Sequence, residues 1–386
     1  MLAQLAFGLL LVGATSGRPW RATACAVAGG LCCVALTRRK GRALPARLVS
    51  ATALRARRRR AGGARTATGA PPGTALLVEC EPALRTWAFT GGRDRRPVGM
   101  IGDGAFLTAL VRVDPECTAL RRDRSGHPLP LSLVRAALDT DGILLESAQV
   151  VQFTRPAPAT HLPEHSLAVR NYAPLQARTG TPAVRLTWIA LKLDPALCEA
   201  AVTARGGGAL GAQRALVRVA DQLAGRLSGA GFGATVLTEP ELVAALAVSC
   251  CANPLAADRA GRAGTPVRRT EERSRSWRCD DRVHATYRVA RWPRLGGASA
   301  PLPRFAALLS AGPALATHLS VTLRPGPRGD VLLSGHVRLT GRNEEELAAA
   351  RAELERTARG VRAGLVPFDG EQLPGVLASL PLGGVR

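Results

Sequence analysis

The sequence predicts a mixed α/β body preceded by a two-helix membrane hairpin, and three observations support this. Two short apolar segments flank a Gly-Pro turn near the start, strands of alternating polarity recur later, and long amphipathic helices separate those strands. The chain has 386 residues, of which 46% are hydrophobic and 21% are charged. This length and composition allow a folded body of two halves besides a membrane segment.

The first 37 residues have the pattern of a helical hairpin. Leu2–Thr15 and Ala22–Thr37 are apolar, and Ser16–Arg21 between them is a turn in which Pro19 prevents a continuous helix. We expect the hairpin to stay uncleaved, because the basic region and small-residue cleavage site of a signal peptide are not recognisable. Each segment is short for a hydrocarbon core about 30 Å thick, so flanking residues or local thinning would complete the span.

Basic residues follow the hairpin directly. Residues 1–65 contain thirteen basic residues and no acidic one, and so carry +13 of the net charge of +23. Eleven of them lie in 38–65, and the positive-inside rule then predicts a cytoplasmic location for both termini and the bulk of the chain. Residues 38–74 are expected to form either a juxtamembrane helix or a flexible linker. The candidate membrane-surface contacts are Arg38, Arg39, Lys40, Arg42, Arg57, Arg58, Arg59 and Arg60.

The body divides into two halves with the same order of elements. The first half, 75–251, and the second half, 283–386, each run strand, helix, strand, strand, long helix, strand, short helix. This βαββαβ order is typical of a split βαβ, ferredoxin-like unit and predicts an internal duplication with mixed sheets. Residues 252–282 are polar and predicted to be an exposed linker. The predicted strands are 105–113, 146–154, 184–193, 232–238, 283–291, 317–324, 331–339 and 363–368. The predicted helices are 131–138, 210–229, 240–248, 303–311, 344–361 and 371–379.

Three histidines lie on the polar faces of predicted strands in the second half. In strand 317–324, His318, Ser320 and Thr322 alternate with aliphatic residues, which predicts a strand with one face in solvent. His284 and His336 lie on neighbouring strands, so three imidazoles are candidates for one zinc ion. Solvent-facing histidines are the commoner case, and neither a metal nor a cofactor is expected.

Other motifs admit a chemical and a structural interpretation. His161–His165 (HLPEH) matches an inverted zinc-protease pattern, but Pro163 disfavours the helix that pattern needs. Asp139 and Asp141 form a DxD sequence at a predicted turn. Arg205–Gly208 (RGGG) opens a helix without the Lys-Ser/Thr of a P-loop. The nine cysteines form no CxxC pair and are predicted to be buried free thiols. No catalytic residue is assigned.

Several segments together resemble a known family. Besides the hairpin and basic stretch, these are Ser147–Val151 (SAQVV), Arg185–Pro195 (RLTWIALKLDP), Arg205–Gly208 and Leu365–Gly383 (LVPFDGEQLPGVLASLPLG). They resemble EccE, component E of the actinobacterial type VII (ESX) secretion membrane complex. The resemblance implies a non-enzymatic, multi-pass subunit of the bacterial inner membrane, with EccB, the ATPase EccC and EccD as partners. It also implies a glycosyltransferase-like sheet without that chemistry, which is an alternative to ferredoxin-like halves.

Two other functions stay open from the sequence. One is a membrane-anchored enzyme of glycosyltransferase type that uses Asp139 and Asp141, and the other is a membrane-tethered nucleic-acid binder that uses Arg57–Arg60. A charge block beside an apolar segment favours membrane topology, and no basic face with interleaved aromatic residues follows it. Nucleic acid is therefore not an expected partner. The leading hypothesis is a secretion subunit that acts through protein–protein contacts.

Overall fold

The computed structural model describes most of the chain and divides the described residues into two compact units. The described residues up to Gly63 form the first unit with Asp369–Glu371, and the other residues from Thr74 onward form the second. The predicted hairpin at 2–37 lies outside the described residues. These are 38–39, 42–63, 74–91, 96–115, 128–156, 163, 165–179, 184–262, 268–293 and 302–384.

The first unit contains two short strands and one helix. Strands β1 (Arg38–Arg39) and β2 (Arg42–Ala43) pair antiparallel. Helix α1 (Leu44–Gly63) follows directly and ends at a Gly-Gly pair. Glycine disfavours helix continuation, because it loses more conformational entropy on entering a helix than other residues do. Of the two alternatives predicted for this stretch, the structure contains the helix.

The second unit alternates strands and helices. Its strands are β3 (Arg85–Phe89), β4 (Val98–Gly102), β5 (Leu107–Pro115), β6 (Asp139–Thr140), β7 (Ile143–Leu144), β8 (Ser147–Arg155), β9 (Val184–Leu193), β10 (Phe232–Val236), β11 (Thr270–Glu272), β12 (Trp277–Cys279), β13 (Arg282–Arg291), β14 (Ala316–Pro325), β15 (Val331–Gly341) and β16 (Gly364–Pro367). Its helices are α2 (Ala75–Cys80), α3 (Leu131–Ala136), α4 (Leu167–Thr179), α5 (Glu199–Thr203), α6 (Gly208–Gly229), α7 (Glu239–Ser249), α8 (Pro254–Arg262), α9 (Leu302–Ser310), α10 (Glu344–Gly360) and α11 (Gln372–Ser379).

Twelve strands form one sheet in this unit. Its order is β11-β12-β13-β15-β14-β8-β9-β5-β4-β3, while β10 pairs with β5 and β16 pairs with β13. All pairs described in this sheet are antiparallel, so the predicted mixed α/β class is confirmed but the predicted mixed sheet is wrong. The reason is topological: strands that run parallel are separated by an antiparallel neighbour.

Both halves have the strand order of a split βαβ unit. In the first half the sheet order is β10-β5-β9-β8, and in the second it is β16-β13-β15-β14. In each, the first and second strands run parallel with the third strand inserted between them. A hairpin precedes each half, β3-β4 and β11-β12, and its inner strand pairs with the start of the first strand. The predicted repetition of element order is confirmed, and an origin by duplication stays a prediction.

The two halves share the sheet through their second strands. β8 and β14 pair antiparallel from Thr154↔Thr317 to Ala148↔Leu323. The backbone ladder therefore continues from one half into the other. The boundaries 75–251 and 283–386 as separate domains stay a prediction.

Residues 252–282 differ from the expected linker. They contain α8, β11 and β12, and the two strands belong to the large sheet. In β12, Trp277 and Cys279 are buried whereas Arg278 between them is exposed. A strand of three residues is too short to show this alternation against a polar background, which is why composition favoured a linker.

Helices cover both faces of the sheet. The larger apolar core lies on the face of α3, α6, α9 and α10, and its buried members include Ile189, Leu216, Phe305, Val337 and Leu347. The second core lies on the face of α2, α7 and α11, and its buried members include Leu110, Phe153, Trp188, Leu242 and Val376. Because helices cover both faces, little of the sheet is exposed to water. Polar residues on the central strands are therefore buried.

One helix pair has membrane-like composition. No single helix among the described residues is long and apolar enough to cross a membrane. Taken together, α7 and α8 have sufficient length and apolar composition, but the chain bends by 110° between them. In α7, Leu242, Ala245 and Leu246 are buried in the second core. Core packing therefore accounts for the apolar character of α7.

Candidate functional site

Helix α1 displays apolar and basic side chains to solvent. Leu48 and Val49 are 68% and 66% exposed, and Arg58, Arg59 and Arg60 are exposed near its C-terminal end. A basic residue there is also favoured by the helix dipole. The helix thus exposes two adjacent apolar residues in its first half and a cationic group of arginines at its C-terminal end.

Two hydrogen bonds fix α1 within the first unit. Ser50 Oγ donates to Glu371 Oε1 at 2.8 Å, and Arg57 Nη2 donates to the carbonyl oxygen of Gly370 at 2.8 Å. The guanidinium group of Arg57 therefore takes part in the packing of the first unit. Among the other predicted surface contacts, Arg38, Arg39 and Arg42 lie on β1 and β2, and Lys40 lies outside the described residues.

The DxD sequence forms a hairpin turn. Thr140 pairs with Ile143, which leaves a two-residue loop of Asp141 and Gly142 with φ values of +52° and +75°. Two positive φ angles at a two-residue loop define a type I′ turn, for which Asp-Gly is a preferred pair. Asp141 Oδ2 also lies 3.0 Å from Arg218 Nη2 in an exposed ion pair. These contacts explain Asp141 structurally, whereas Asp139 is exposed on β6.

The glycine-rich segment is a helix entry. The backbone angle φ is positive at Gly206, Gly207 and Gly208. This conformation is unfavourable for any residue that has a Cβ atom, which explains the glycines. At Gly211, one turn into α6, a Cβ atom would lie 2.2 Å from the carbonyl oxygen of Val202. Close packing of α6 on α5 thus accounts for a small residue at this position.

The three histidines are buried, contrary to the predicted solvent-facing positions. His284 and His318 have no exposed surface and His336 is 8% exposed, because α7 and α11 cover this face of the sheet. Each ring packs on a different aromatic side chain, at centroid distances of 5.0 Å, 4.7 Å and 5.7 Å for Trp277, Phe153 and Phe368, respectively.

A buried arginine, Arg338, lies beside His284. It is fully buried, and its Nη1 lies 3.4 Å from His284 Nδ1 while its Nη2 donates to the carbonyl oxygen of Ser249 at 2.6 Å. Burial lowers the pKa of His284 and His318 well below the usual value, and the charge of Arg338 lowers both further. Burial and the nearby Arg288 lower the pKa of His336 to about 4. In the described part of the chain no group of three or more His, Cys, Asp or Glu is arranged for a metal ion.

The described cysteines are free thiols of low reactivity. Cys198, Cys250, Cys251 and Cys279 are buried and Cys80 is half-buried. Burial raises the pKa of all five thiols, to about 12 for Cys250, so the nucleophilic thiolate is scarce. The prediction of buried free thiols is confirmed for four of these five residues. Of the HLPEH motif, only Pro163 and His165 are described, and neither is helical.

A second polar cluster holds the C-terminal segment, and sequence reasoning missed its role. Gln149 Nε2 donates to Ser320 Oγ at 2.7 Å and to the carbonyl oxygen of Ala378 at 2.8 Å. The Gly383 N–H donates to Gln149 Oε1 at 2.8 Å. All of these bonds are buried, so one side chain on β8 joins the second strands of both halves to the end of the chain. We name Gln149, Ser320, Ala378 and Gly383 the tail clasp.

Neighbouring strand residues extend the tail clasp. Ser147 Oγ donates to the carbonyl oxygen of Gly383 at 2.5 Å, and Thr108 Oγ1 donates to that of Leu382 at 3.1 Å. Gly383 has φ +91°, and a Cβ atom there would lie 2.5 Å from Lys192 Cβ. The alternation of Ser147 and Gln149 on one strand face was the available signal, but no pattern showed that a distant segment covers it.

One family model matches part of this chain, from residue 181 to residue 289. The matched segment includes β9, α6, α7, α8 and most of β13. It is similar to the EccE family, described as "Putative type VII ESX secretion system translocon, EccE". The resemblance to EccE is thereby confirmed over this segment. No curated protein matches the chain.

Proposed function

We propose that this chain is a non-enzymatic, membrane-anchored subunit of a type VII (ESX) protein secretion complex and acts through protein–protein contacts in translocon assembly. The single observation that carries the proposal is the EccE match over residues 181–289. The structural roles of Asp141, of the three strand histidines and of the described thiols support the non-enzymatic part, because each of these groups has a packing or turn explanation.

The proposed anchor is the hairpin at residues 2–37, with the bulk of the chain on the cytoplasmic side of the inner membrane. Charge supports this orientation, since the basic residues concentrate directly after the second apolar segment. The exposed Leu48 and Val49 and the cationic end of α1 suit a helix that lies on an anionic lipid surface. The proposed surface contacts are Arg38, Arg39, Lys40, Arg42, Arg57, Arg58, Arg59 and Arg60.

The proposed partners are EccB, the ATPase EccC and EccD, and neither a cofactor nor nucleic acid is part of the proposal. To test it, the full chain is tagged, purified from membranes in mild detergent, and its companions are quantified by mass spectrometry. Two variants are compared: one lacks residues 2–37, and the other replaces them by an unrelated two-helix hairpin. The second variant keeps the anchor and removes only the hairpin's own contacts.

The proposal predicts that the three partners are enriched with the full chain and depleted when the hairpin is deleted. Recovery of partners with the unrelated hairpin assigns the contacts to the body, and loss assigns them to the hairpin. A full chain that is released by carbonate washing, or that purifies without any secretion subunit, contradicts the proposal.

A further inference from the structure

An arginine-lined cleft lies between α8 and the β11-β12 hairpin. Its volume is about 470 Å³, and four of its nine lining residues are arginines. The lining residues are Ala256, Arg259, Ala260, Arg268, Arg269, Thr270, Glu271, Arg278 and Asp280. We name it the arginine cleft.

In three of the arginines the Nε–H group donates a hydrogen bond that holds the side chain in place. Arg268 Nε donates to the carbonyl oxygen of Thr270 at 2.9 Å, and Arg278 Nε donates to that of Asp280 at 2.9 Å. Arg269 Nε donates to Asp280 Oδ1 at 2.8 Å. Anchoring restricts the planar guanidinium groups before any ligand arrives, so less conformational entropy is lost on binding.

The carboxylates of the cleft are engaged by arginines. Asp280 is 2% exposed and forms a bidentate pair with Arg269, whose side chain is 7% exposed. Glu271 Oε2 accepts a hydrogen bond from Arg273, which lies outside the lining, at 3.0 Å. Arg259 and Arg278 are exposed. Glu79, which is not part of the lining, accepts hydrogen bonds from the backbone N–H groups of Arg269 and Thr270. The four arginines still outnumber Asp280, Glu271 and Glu79, and this excess of positive charge favours an anion.

The shape and chemistry narrow the kind of anion. Arginine forks match the tetrahedral oxygens of phosphate, because two N–H groups reach two oxygens at once. The apolar part of the lining consists of Ala256 and Ala260, and among the described lining residues there is no aromatic ring to stack a nucleobase. A phosphate group itself, rather than the rest of a nucleotide, is the part that these residues can recognise.

We propose that the arginine cleft binds a phosphate group, free or esterified, through Arg259 and Arg278 with Arg268 and Arg269 as fixed neighbours. The proposal goes beyond the secretion assignment and does not depend on it. A free phosphate compound and a phospholipid headgroup share this chemistry, and the experiment distinguishes them.

The test is calorimetric titration of the detergent-solubilised full chain with inorganic pyrophosphate and, separately, with short-chain phosphatidylglycerol. The Arg259→Ala/Arg278→Ala double variant is expected to weaken binding about tenfold or more, since each lost guanidinium removes charge-assisted hydrogen bonds. Arg226→Ala, which removes an exposed arginine on α6, serves as the matched control and is expected to bind like the unaltered chain. Thermal denaturation of each variant verifies its fold.

The two probes decide the source of the phosphate. Binding of pyrophosphate alone assigns the cleft to free phosphate compounds, and binding of the lipid probe assigns it to a headgroup, provided that the double variant loses the binding. The proposal is overturned if neither probe binds or if the folded double variant binds like Arg226→Ala.

Discussion

Gln149→Leu tests how the end of the chain is held on the sheet. Leucine has nearly the volume of glutamine but cannot form hydrogen bonds, so the substitution removes the centre of the tail clasp with little change in packing. Three buried bonds are lost, two to acceptors at Ser320 and Ala378 and one from the Gly383 N–H. Ser320 Oγ still donates to the Ala378 carbonyl oxygen at 3.3 Å, so those two groups keep a partner.

The magnitude follows from the group left without a partner. A buried N–H without an acceptor costs about 1–3 kcal/mol, and the two weakened acceptor contacts add about 1 kcal/mol. The expected destabilisation is therefore about 2–4 kcal/mol, which corresponds to a melting temperature about 5–10 °C lower for a unit of this size.

The assay combines thermal denaturation of the full chain with hydrogen exchange of the C-terminal peptide. Gln152→Leu is the matched control, because Gln152 lies half-buried on the same strand and its side chain has no hydrogen bond within the described residues. The control is expected to change stability by less than about 0.5 kcal/mol. Equal melting temperatures for the two variants, with the Gly383 amide equally protected, would refute the assigned role of Gln149.

Three further predictions concern acidity, the turn and the basic helix. Between about pH 6.5 and pH 4 the unfolded chain protonates His336 before the folded chain does, because burial lowers the folded pKa to about 4. The free energy of unfolding therefore decreases as the pH is lowered through this range, by up to about 1.4 kcal/mol per pH unit for this residue. Asp139→Asn and Asp141→Asn are expected to leave secretion and melting temperature nearly unchanged, since asparagine tolerates positive φ and an exposed ion pair contributes at most about 1 kcal/mol. Neutralising Arg58–Arg60 to alanine is expected to weaken the contact of α1 with anionic lipid by about 1 kcal/mol per arginine.

Each of these has a direct measurement. Urea denaturation at several pH values gives the slope, and His336→Phe should reduce it by the contribution of this one residue. An unchanged slope would assign the acid sensitivity to other groups, such as His284 and His318. Loss of secretion in a folded Asp139→Asn or Asp141→Asn variant would support catalysis instead of a turn. For α1, an environment-sensitive label at Thr52→Cys in vesicles reports the lipid contact, and identical spectra with neutral and anionic lipid would contradict it.

The regular elements of the fold were predictable, because their side chains alternate or recur with clear periods. The strand at 184–193 was predicted with its observed bounds, and the other predicted strands and helices differ by at most two residues at either end. The strands β3, β4, β11 and β12 were missed, since segments of three to five residues hold too few alternations to detect. The joining of the halves through β8 and β14 was not predictable, because pairing between distant strands leaves no local pattern.

The candidate site shows the limit of face assignment from sequence. His318, Ser320 and Thr322 alternate with aliphatic residues, and this pattern normally marks a solvent face. Here α7 and α11 cover it, so the same polar residues are buried and Ser320 takes part in the tail clasp. Tertiary coverage decides the role of such residues, and for Gln149 it is provided by Ala378, which lies 229 positions away in the chain. The turn at Asp141, by contrast, follows from local chemistry and was predictable.

The most direct test of the secretion assignment is the export of type VII substrates by a strain that lacks this protein. Complementation with the full chain is compared with complementation by a chain without residues 2–37. We expect export to be lost in the deletion strain, to return with the full chain and not to return with the truncated one. Undiminished export in the strain without the protein would contradict it.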